Sequence, residues 1–156
     1  ALALVIQAPW MLGGRSRRPA LDPFNATINY LYAFLYGLVE QALFHAGLDP
    51  HLGILHADEY DRPTLAYDLI EPFRPWVDEL VVQNILSKNT GLEGYDEKNN
   101  GVFLNALGKK FWIPAFNDWM EKPIRWEKRQ MARKSHIFRK ADELAAHIRA
   151  SVKRPV

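Results

Sequence analysis

The chain has 156 residues, of which 48% are hydrophobic and 12% aromatic, and its formal net charge at pH 7 is only +2. This length and apolar content suit a folded domain and exclude a disordered or fibrous chain. The absence of cysteine excludes a disulfide framework, a zinc–thiolate site and a thiol nucleophile. We expect a cytoplasmic protein, because a chain without cysteine fits a reducing compartment and the sequence shows neither a signal peptide nor a membrane-length apolar stretch.

The first third of the chain predicts a loop followed by a long helix. Turn-forming residues fill positions 13–23, and apolar side chains then recur every three or four residues from about Phe24 to Ala46. Gly47 follows at the position where glycine commonly ends a helix. We expect this helix to be mostly buried.

The second predicted helix covers about residues 63–87 and carries two carboxylates. Asp68 and Glu71 are three residues apart, so they are neighbours on one side of the helix. Pro72 and Pro75 interrupt the helical hydrogen bonds beside them, because proline has no N–H to donate. This pattern predicts a kink at the prolines, or a break between two short helices.

Glycine and asparagine residues in 88–101 predict a loop, and two further helices follow it. The first is rich in aromatic residues, contains Pro114 and ends near Met120, whereas the second carries the apolar residues of 137–148. No stretch alternates like a strand. The predicted fold is therefore an all-α domain of five or six helices, with residues 1–156 forming a single domain.

Charge is separated along the chain although the total is small. Residues 49–97 hold eleven acidic and three basic residues, whereas 122–140 hold eight basic residues and Glu127 alone. Arg15, Arg17 and Arg18 form a second basic cluster near the start. An acidic centre between basic flanks is typical of a protein that binds cations centrally and phosphates at the edges. The alternative is a solvated helix face.

His56 lies close in sequence to Asp68 and Glu71 and is the candidate metal ligand among the five histidines. A neutral imidazole and an ionised carboxylate suit a divalent cation that keeps open positions for phosphate oxygens. Spacing alone leaves a capping or surface role open for this histidine.

Three phrases of the sequence resemble the family of CRISPR adaptation integrases. They are Gly14-Arg15 through Arg18-Pro19 with Asp22-Pro23-Phe24-Asn25-Ala26; Gly47-Leu48-Asp49-Pro50 with Leu52-Gly53-Ile54-Leu55-His56; and Asp68-Leu69-Ile70-Glu71-Pro72-Phe73-Arg74-Pro75. The likeness is strong over residues 13–87, and the remainder matches only in its helical character. The chain resembles the α-helical catalytic domain of the family, which follows a β-rich domain.

This resemblance implies a metal-dependent DNA endonuclease and integrase that inserts spacers into CRISPR arrays by phosphoryl transfer. It implies Mg²⁺ or Mn²⁺ as cofactor, His56 and Asp68 as metal ligands, and Glu71 as a supporting catalytic acid. The basic residues expected to hold DNA are Arg15, Arg17, Arg18, Arg129, Arg133 and Lys134. Expected partners are protospacer and repeat DNA, a small ferredoxin-like adaptation protein, and a second copy in a homodimer, without a membrane.

The family's third metal ligand, a glutamate, precedes the histidine by several dozen residues. Counting back from His56 passes the start of this sequence, and Glu40 lies in the wrong phrase to take that role. We therefore expect an N-terminally truncated piece that lacks the β-rich domain and one ligand. On its own it should be inactive.

Two other classes of protein remain open at the level of sequence. A non-catalytic helical DNA-binding module would explain the basic flanks but would leave His56, Asp68 and Glu71 without a role. A purely structural helical domain would explain neither the charge separation nor the carboxylates beside the prolines. A His-Asp phosphohydrolase is disfavoured, because no His-Asp dipeptide occurs.

Overall fold

The fold is described from a computed structural model, which covers residues 6, 9–51 and 64–152. Its α-helices are α1 Pro23–His45, α2 Thr64–Ile70, α3 Arg74–Leu86, α4 Ala106–Glu121 and α5 Arg133–Val152, with 3-10 turns at Glu71–Phe73 and Leu92–Gly94. Four short strands are present, β1 Tyr95–Lys98, β2 Gly101–Leu104, β3 Pro123–Trp126 and β4 Arg129–Ala132. The predicted all-α class is confirmed, since helices dominate the described ranges.

Two β-hairpins correct the prediction that no strand occurs. β1 pairs with β2 and β3 with β4, each pair antiparallel, and the two pairs form separate two-stranded sheets. The hairpins occupy sequence that we had assigned to the 88–101 loop, the start of the aromatic helix and the basic segment 122–140. α4 consequently begins at Ala106, after the strand residues Phe103 and Leu104.

The long first helix agrees with its sequence pattern at both ends. Asp22 precedes it as the N-cap, Pro23 occupies its first turn, and Gly47 follows it with a φ of 74°. The backbone N–H of Leu48 donates to the carbonyl of Leu43 at 2.9 Å. This is the hydrogen bond of a Schellman motif, in which a glycine in the left-handed conformation ends the helix.

The predicted interruption at the prolines is present as a change of helix type. α2 ends at Ile70, the 3-10 turn Glu71–Phe73 contains Pro72, and α3 then begins at Arg74 with Pro75 in its first turn. A 3-10 turn fits here because the missing proline N–H groups remove the α-helical hydrogen bonds to the carbonyls of Asp68 and Glu71.

The chain divides into two compact units, Ala1–Ala33 with Pro75–Trp119 and Phe34–Arg74 with Met120–Val156. In the first, Ala20, Ala26 and Val102 form a buried cluster against Tyr95. In the second, Arg149 near the end of α5 donates to the carbonyl of Ala46 after α1 at 2.8 Å. The single-domain prediction stays a prediction. Within the described ranges, none of the helices has the length and apolar character needed to traverse a bilayer.

Candidate metal centre and nucleic-acid contacts

Asp22 and Asn25 attach the loop 13–22 to the start of α1. Asp22 Oδ1 accepts from the backbone N–H of Asn25 at 2.7 Å, and its Oδ2 accepts from the Asn25 amide at 2.9 Å. The Asn25 amide also donates to the carbonyl of Gly14 at 3.2 Å. Both side chains are buried, so this part of the sequence signature has a structural role.

Arg15, one of the predicted DNA contacts, belongs to the same hydrogen-bond network. Its guanidinium donates to Oδ1 of Asn25 and to Oδ1 of Asn29, both at 2.7 Å. These contacts hold the Arg15 side chain against the first two turns of α1. Arg15 is nevertheless exposed, as are Arg17 and Arg18.

Arg17 and Arg18 line a groove of about 610 Å³ beside α1. Most of its remaining lining is apolar and comes from α1 and β2, and Lys109 of α4 adds a third cation. Lys109 Nζ lies 5.9 Å from the centre of the Tyr30 ring. No Asp or Glu is among the described residues that line this groove, so its charge favours an anionic ligand.

Asp68 is placed in the last turn of α2 with its carboxylate half-buried. Its Oδ2 atom is inaccessible to solvent and has no hydrogen-bond partner among the residues that the structure describes. Leu65, Ala66, Leu69 and Ile70, which surround it in the helix, are all buried. A carboxylate oxygen held away from water without a donor is costly, and a bound cation is one of the few groups that would satisfy it.

Glu71 has a different environment, although it is only three residues away. Its side chain is 59% exposed, and Oε1 pairs with Nη1 of Arg74 at 2.9 Å. The two acids therefore differ in exposure. Asp68 is half-buried in α2, whereas Glu71 lies at the surface in the 3-10 turn.

His56 lies outside the described residues, so its position relative to Asp68 stays a prediction. Within residues 6, 9–51 and 64–152, no three His, Asp or Glu side chains converge as a metal site. Asp68 is therefore the member of the predicted ligand pair whose surroundings can be described.

The basic segment, residues 122–140, is partly neutralised by pairs within the fold. Lys134 pairs with Glu121 at 3.5 Å, and Glu127 accepts from Arg139 at 2.7 Å and from Lys140 at 3.0 Å. These two donors, with Lys140 contributing more, hold the pKa of the Glu127 carboxyl below its ordinary value. Part of the basic charge of this segment is therefore paired with carboxylates of the same fold.

The three residues predicted to bind DNA in this segment differ in exposure. Arg129 at the start of β4 and Lys134 on α5 are exposed. Arg133 is only 6% exposed, and its Nη1 donates to the carbonyl of Lys122 at 3.4 Å. Sequence reasoning gave less weight to Arg125 and Lys128, which are exposed on the β3–β4 hairpin. The hairpin that presents them was not anticipated.

Comparison with known proteins identifies the family. Residues 1–118 match the family described as CRISPR associated protein Cas1. This chain belongs to the Cas1 family. Among curated relatives, the CRISPR-associated endonuclease Cas1 1 of Thermus thermophilus is 40% identical over 111 residues, which cover 70% of this chain and 35% of that protein. The corresponding protein of Thermodesulfovibrio yellowstonii is 36% identical over 110 residues, covering 69% of this chain and 35% of its own length.

Solved structures agree with the Cas1 assignment. A casposase bound to integration product has a TM-score of 0.84 at 27% identity, over 96% of this chain and 44% of that one. A Cas1 protein from Thermotoga maritima has a TM-score of 0.82 at 25% identity, over 93% of this chain and 45% of that one. The chain thus spans about a third of the length of these curated Cas1 relatives and under half of the aligned structures.

Proposed function

We propose that this Cas1-family chain is the catalytic portion of a metal-dependent DNA endonuclease and integrase that inserts spacers into CRISPR arrays. Membership of the Cas1 family and relatives named as endonucleases support this proposal. The casposase neighbour, bound to integration product, supports strand transfer as the reaction class. The matched region covers 35% of the length of the Thermus thermophilus relative, so the activity of a whole Cas1 protein is part of this proposal.

The observation that carries the proposal is the buried Oδ2 of Asp68, which has no hydrogen-bond donor within the described part of the chain. An ionised carboxylate in that position gains most from a divalent cation, whose charge offsets the loss of hydration. Mg²⁺ and Mn²⁺ take carboxylate oxygen, and Mn²⁺ also accepts imidazole nitrogen, so Asp68 and His56 form a chemically suitable donor pair.

Mg²⁺ or Mn²⁺, when bound, would neutralise charge on the phosphodiester oxygens during attack by a DNA 3′-hydroxyl. Asp68 and His56 would hold the cation, and Glu71 would act as a supporting acid that Arg74 orients. The buried apolar residues of α2 around Asp68 would keep competing water away from the carboxylate.

DNA would be held by cations on both flanks of the chain. Arg17, Arg18, Arg129 and Lys134 are exposed and suit phosphate contacts, whereas Arg15 and Arg133 would act mainly through the loop and helix that they anchor. A small ferredoxin-like adaptation protein and a second copy of the protein complete the proposed assembly, as the family resemblance implies.

The decisive variant is Asp68→Asn in the full-length protein, which keeps the shape of the side chain and removes its charge. We expect Mn²⁺-dependent cleavage and strand transfer to fall by at least about 100-fold, because losing a ligand loosens the cation and its alignment with phosphate. A gel assay with labelled branched DNA measures both products. Chelation with EDTA should abolish the wild-type reaction.

Asp118→Asn is the matched control, because Asp118 is an exposed aspartate on α4. It should leave the rate unchanged. Full activity of Asp68→Asn would refute the proposed site. Tight DNA binding by wild-type protein without any metal-dependent product would favour the non-catalytic DNA-binding module instead.

A further inference from the structure

The cations of the basic segment fall into two groups with different surroundings. Those on α5 are engaged within the fold, since Lys134 pairs with Glu121, and Arg139 and Lys140 both pair with Glu127 and with Glu143. The second group lies on the β3–β4 hairpin. Arg125, Lys128 and Arg129 are exposed there, and none has an ion pair to any residue that the structure describes.

The register of the hairpin places its polar residues on a defined face. Arg125 is directly opposite Gln130, and Ile124 is directly opposite Met131. Because side chains alternate across a strand, the Arg125–Gln130 pair points away from the half-buried Ile124–Met131 pair, and both of its members are exposed. The outward face of this ribbon therefore carries a guanidinium beside an amide.

The turn of the hairpin is twisted and fixed in position. Glu127 and Lys128 have φ values of 46° and 65°, which is the pattern of a tight turn that matches the twist of paired strands. Both carboxylate oxygens of Glu127 accept from α5, through Arg139 and Lys140. Lys128 therefore lies at the tip of a fixed turn, where it is exposed.

Trp126 fixes the inner face of the same hairpin. Its ring lies 5.5 Å from that of Phe73 and 5.4 Å from that of the fully buried His136, measured between ring centres. Lys140 Nζ lies over it at 5.8 Å. Because Trp126 packs against Phe73 and His136, the exposed residues of the hairpin are, apart from one proline, charged or polar. Single-strand binding typically uses exposed aromatic side chains on which bases stack.

We propose that the β3–β4 hairpin inserts as a two-stranded ribbon into the major groove of duplex DNA. The major groove is wide enough for a two-stranded ribbon, and arginine and glutamine are the side chains that pair with guanine and adenine edges there. Lys128 and Arg129 bind the flanking phosphates, and Arg125 and Gln130 face the bases. The inference rests on the proposed function for its ligand, DNA, and adds the element and the groove.

The test compares two triple variants of the full-length protein with equal loss of charge. Arg125→Gln, Lys128→Asn and Arg129→Gln remove the hairpin cations, whereas Lys88→Asn, Lys98→Gln and Lys110→Gln remove three exposed lysines elsewhere. Affinity for a 30-base-pair duplex and for a single strand of the same length is measured by fluorescence anisotropy between about 50 and 200 mM salt. Asparagine is chosen at positions 88 and 128 because φ is positive at both.

The hairpin variant should lower the slope of log affinity against log salt for duplex by about 2, since Lys128 and Arg129 each lose a phosphate contact and each such contact contributes about 0.9. The lysine control should change it by less than about 1. Gln130→Glu, which leaves the strand register intact, should weaken duplex binding by at least about 10-fold because it places a negative charge on the outward face.

An unchanged slope in the hairpin variant, or an equal fall in the control, would overturn the ribbon proposal. Equal losses for duplex and single strand would also overturn it, because the major groove exists only in the duplex. Metal-dependent cleavage is measured in parallel on the same variants. Cleavage that persists would support the proposed function even if the ribbon proposal fails. Absence of any DNA affinity in the wild-type protein would overturn the proposed function and the ribbon together.

Discussion

At the scale of single residues, a sequence signature did not separate structural roles from contacts with a ligand. Arg15 and Arg17 are two positions apart in the same basic cluster and are both exposed, yet the guanidinium of Arg15 is hydrogen-bonded to Asn25 and Asn29. The sequence shows charge but not which partner lies within reach. The side-chain acceptors of Arg15 are ten and fourteen residues away, so only the folded loop identifies them.

Asn25 allows a direct test of the structural role of the signature. Asn25→Ala should lower the free energy of unfolding by about 2–4 kcal/mol, because it leaves the buried Asp22 Oδ2 and the Gly14 carbonyl without the amide that donates to both. Urea unfolding followed by circular dichroism measures this loss. Asn29→Ala, a neighbouring and less buried amide, should cost about 1 kcal/mol or less. Equal costs would contradict the account of the loop.

Asp68 and Glu71 show what spacing can and cannot predict about a site. Their separation by three residues correctly marked a shared region of one helix, since both lie where α2 changes to the 3-10 turn. Burial distinguishes them, and burial depends on what packs around the turn. Asp68 has a solvent-inaccessible oxygen to which none of the described residues donates, whereas Glu71 has a surface partner in Arg74.

At the scale of elements, helices were predictable and hairpins were not. Apolar periodicity extends over twenty residues of α1, and the helix was placed within a residue at each end. β1 and β2 have four residues each, too few for alternation to be distinguished from chance. Asn99-Asn100, both with positive φ, was an available turn signal in the first hairpin. Glu127-Lys128 in the second gave none.

Gly94, just before the first hairpin, and Gly108 in α4 bring the two backbones close together. A Cβ added to Gly108 would lie 2.3 Å from the carbonyl oxygen of Gly94, so Gly108→Ala should destabilise the fold by about 2–3 kcal/mol. Gly37→Ala in α1 meets no atom within 4 Å and should stabilise it by about 0.5–1 kcal/mol. Thermal unfolding of the two variants should therefore shift in opposite directions. Shifts of the same sign would contradict the close approach of these elements.

At the scale of the whole molecule, the pattern of charge was visible in the sequence but its use was not. The basic excess in residues 122–140 is real, yet Glu121, Glu127 and Glu143 neutralise much of it inside the fold. Glu121 and Glu143 lie outside or at the edge of the counted run. A count along the sequence thus overstates the basic charge that the folded segment presents to a ligand. The exposed β3–β4 hairpin carries that charge at a few positions.

The proposed role of Asp68 is to hold a divalent metal for phosphoryl transfer, and calorimetric titration of Mn²⁺ measures that binding. The metal-free full-length protein and its Asp68→Asn variant are titrated side by side, with Asp118→Asn as the control. We expect the Kd for Mn²⁺ to rise by at least about 10-fold in Asp68→Asn and to stay unchanged in Asp118→Asn. The reason is that a buried carboxylate oxygen to which none of the described residues donates gains most from a bound cation. An unchanged Mn²⁺ Kd in Asp68→Asn would contradict the account.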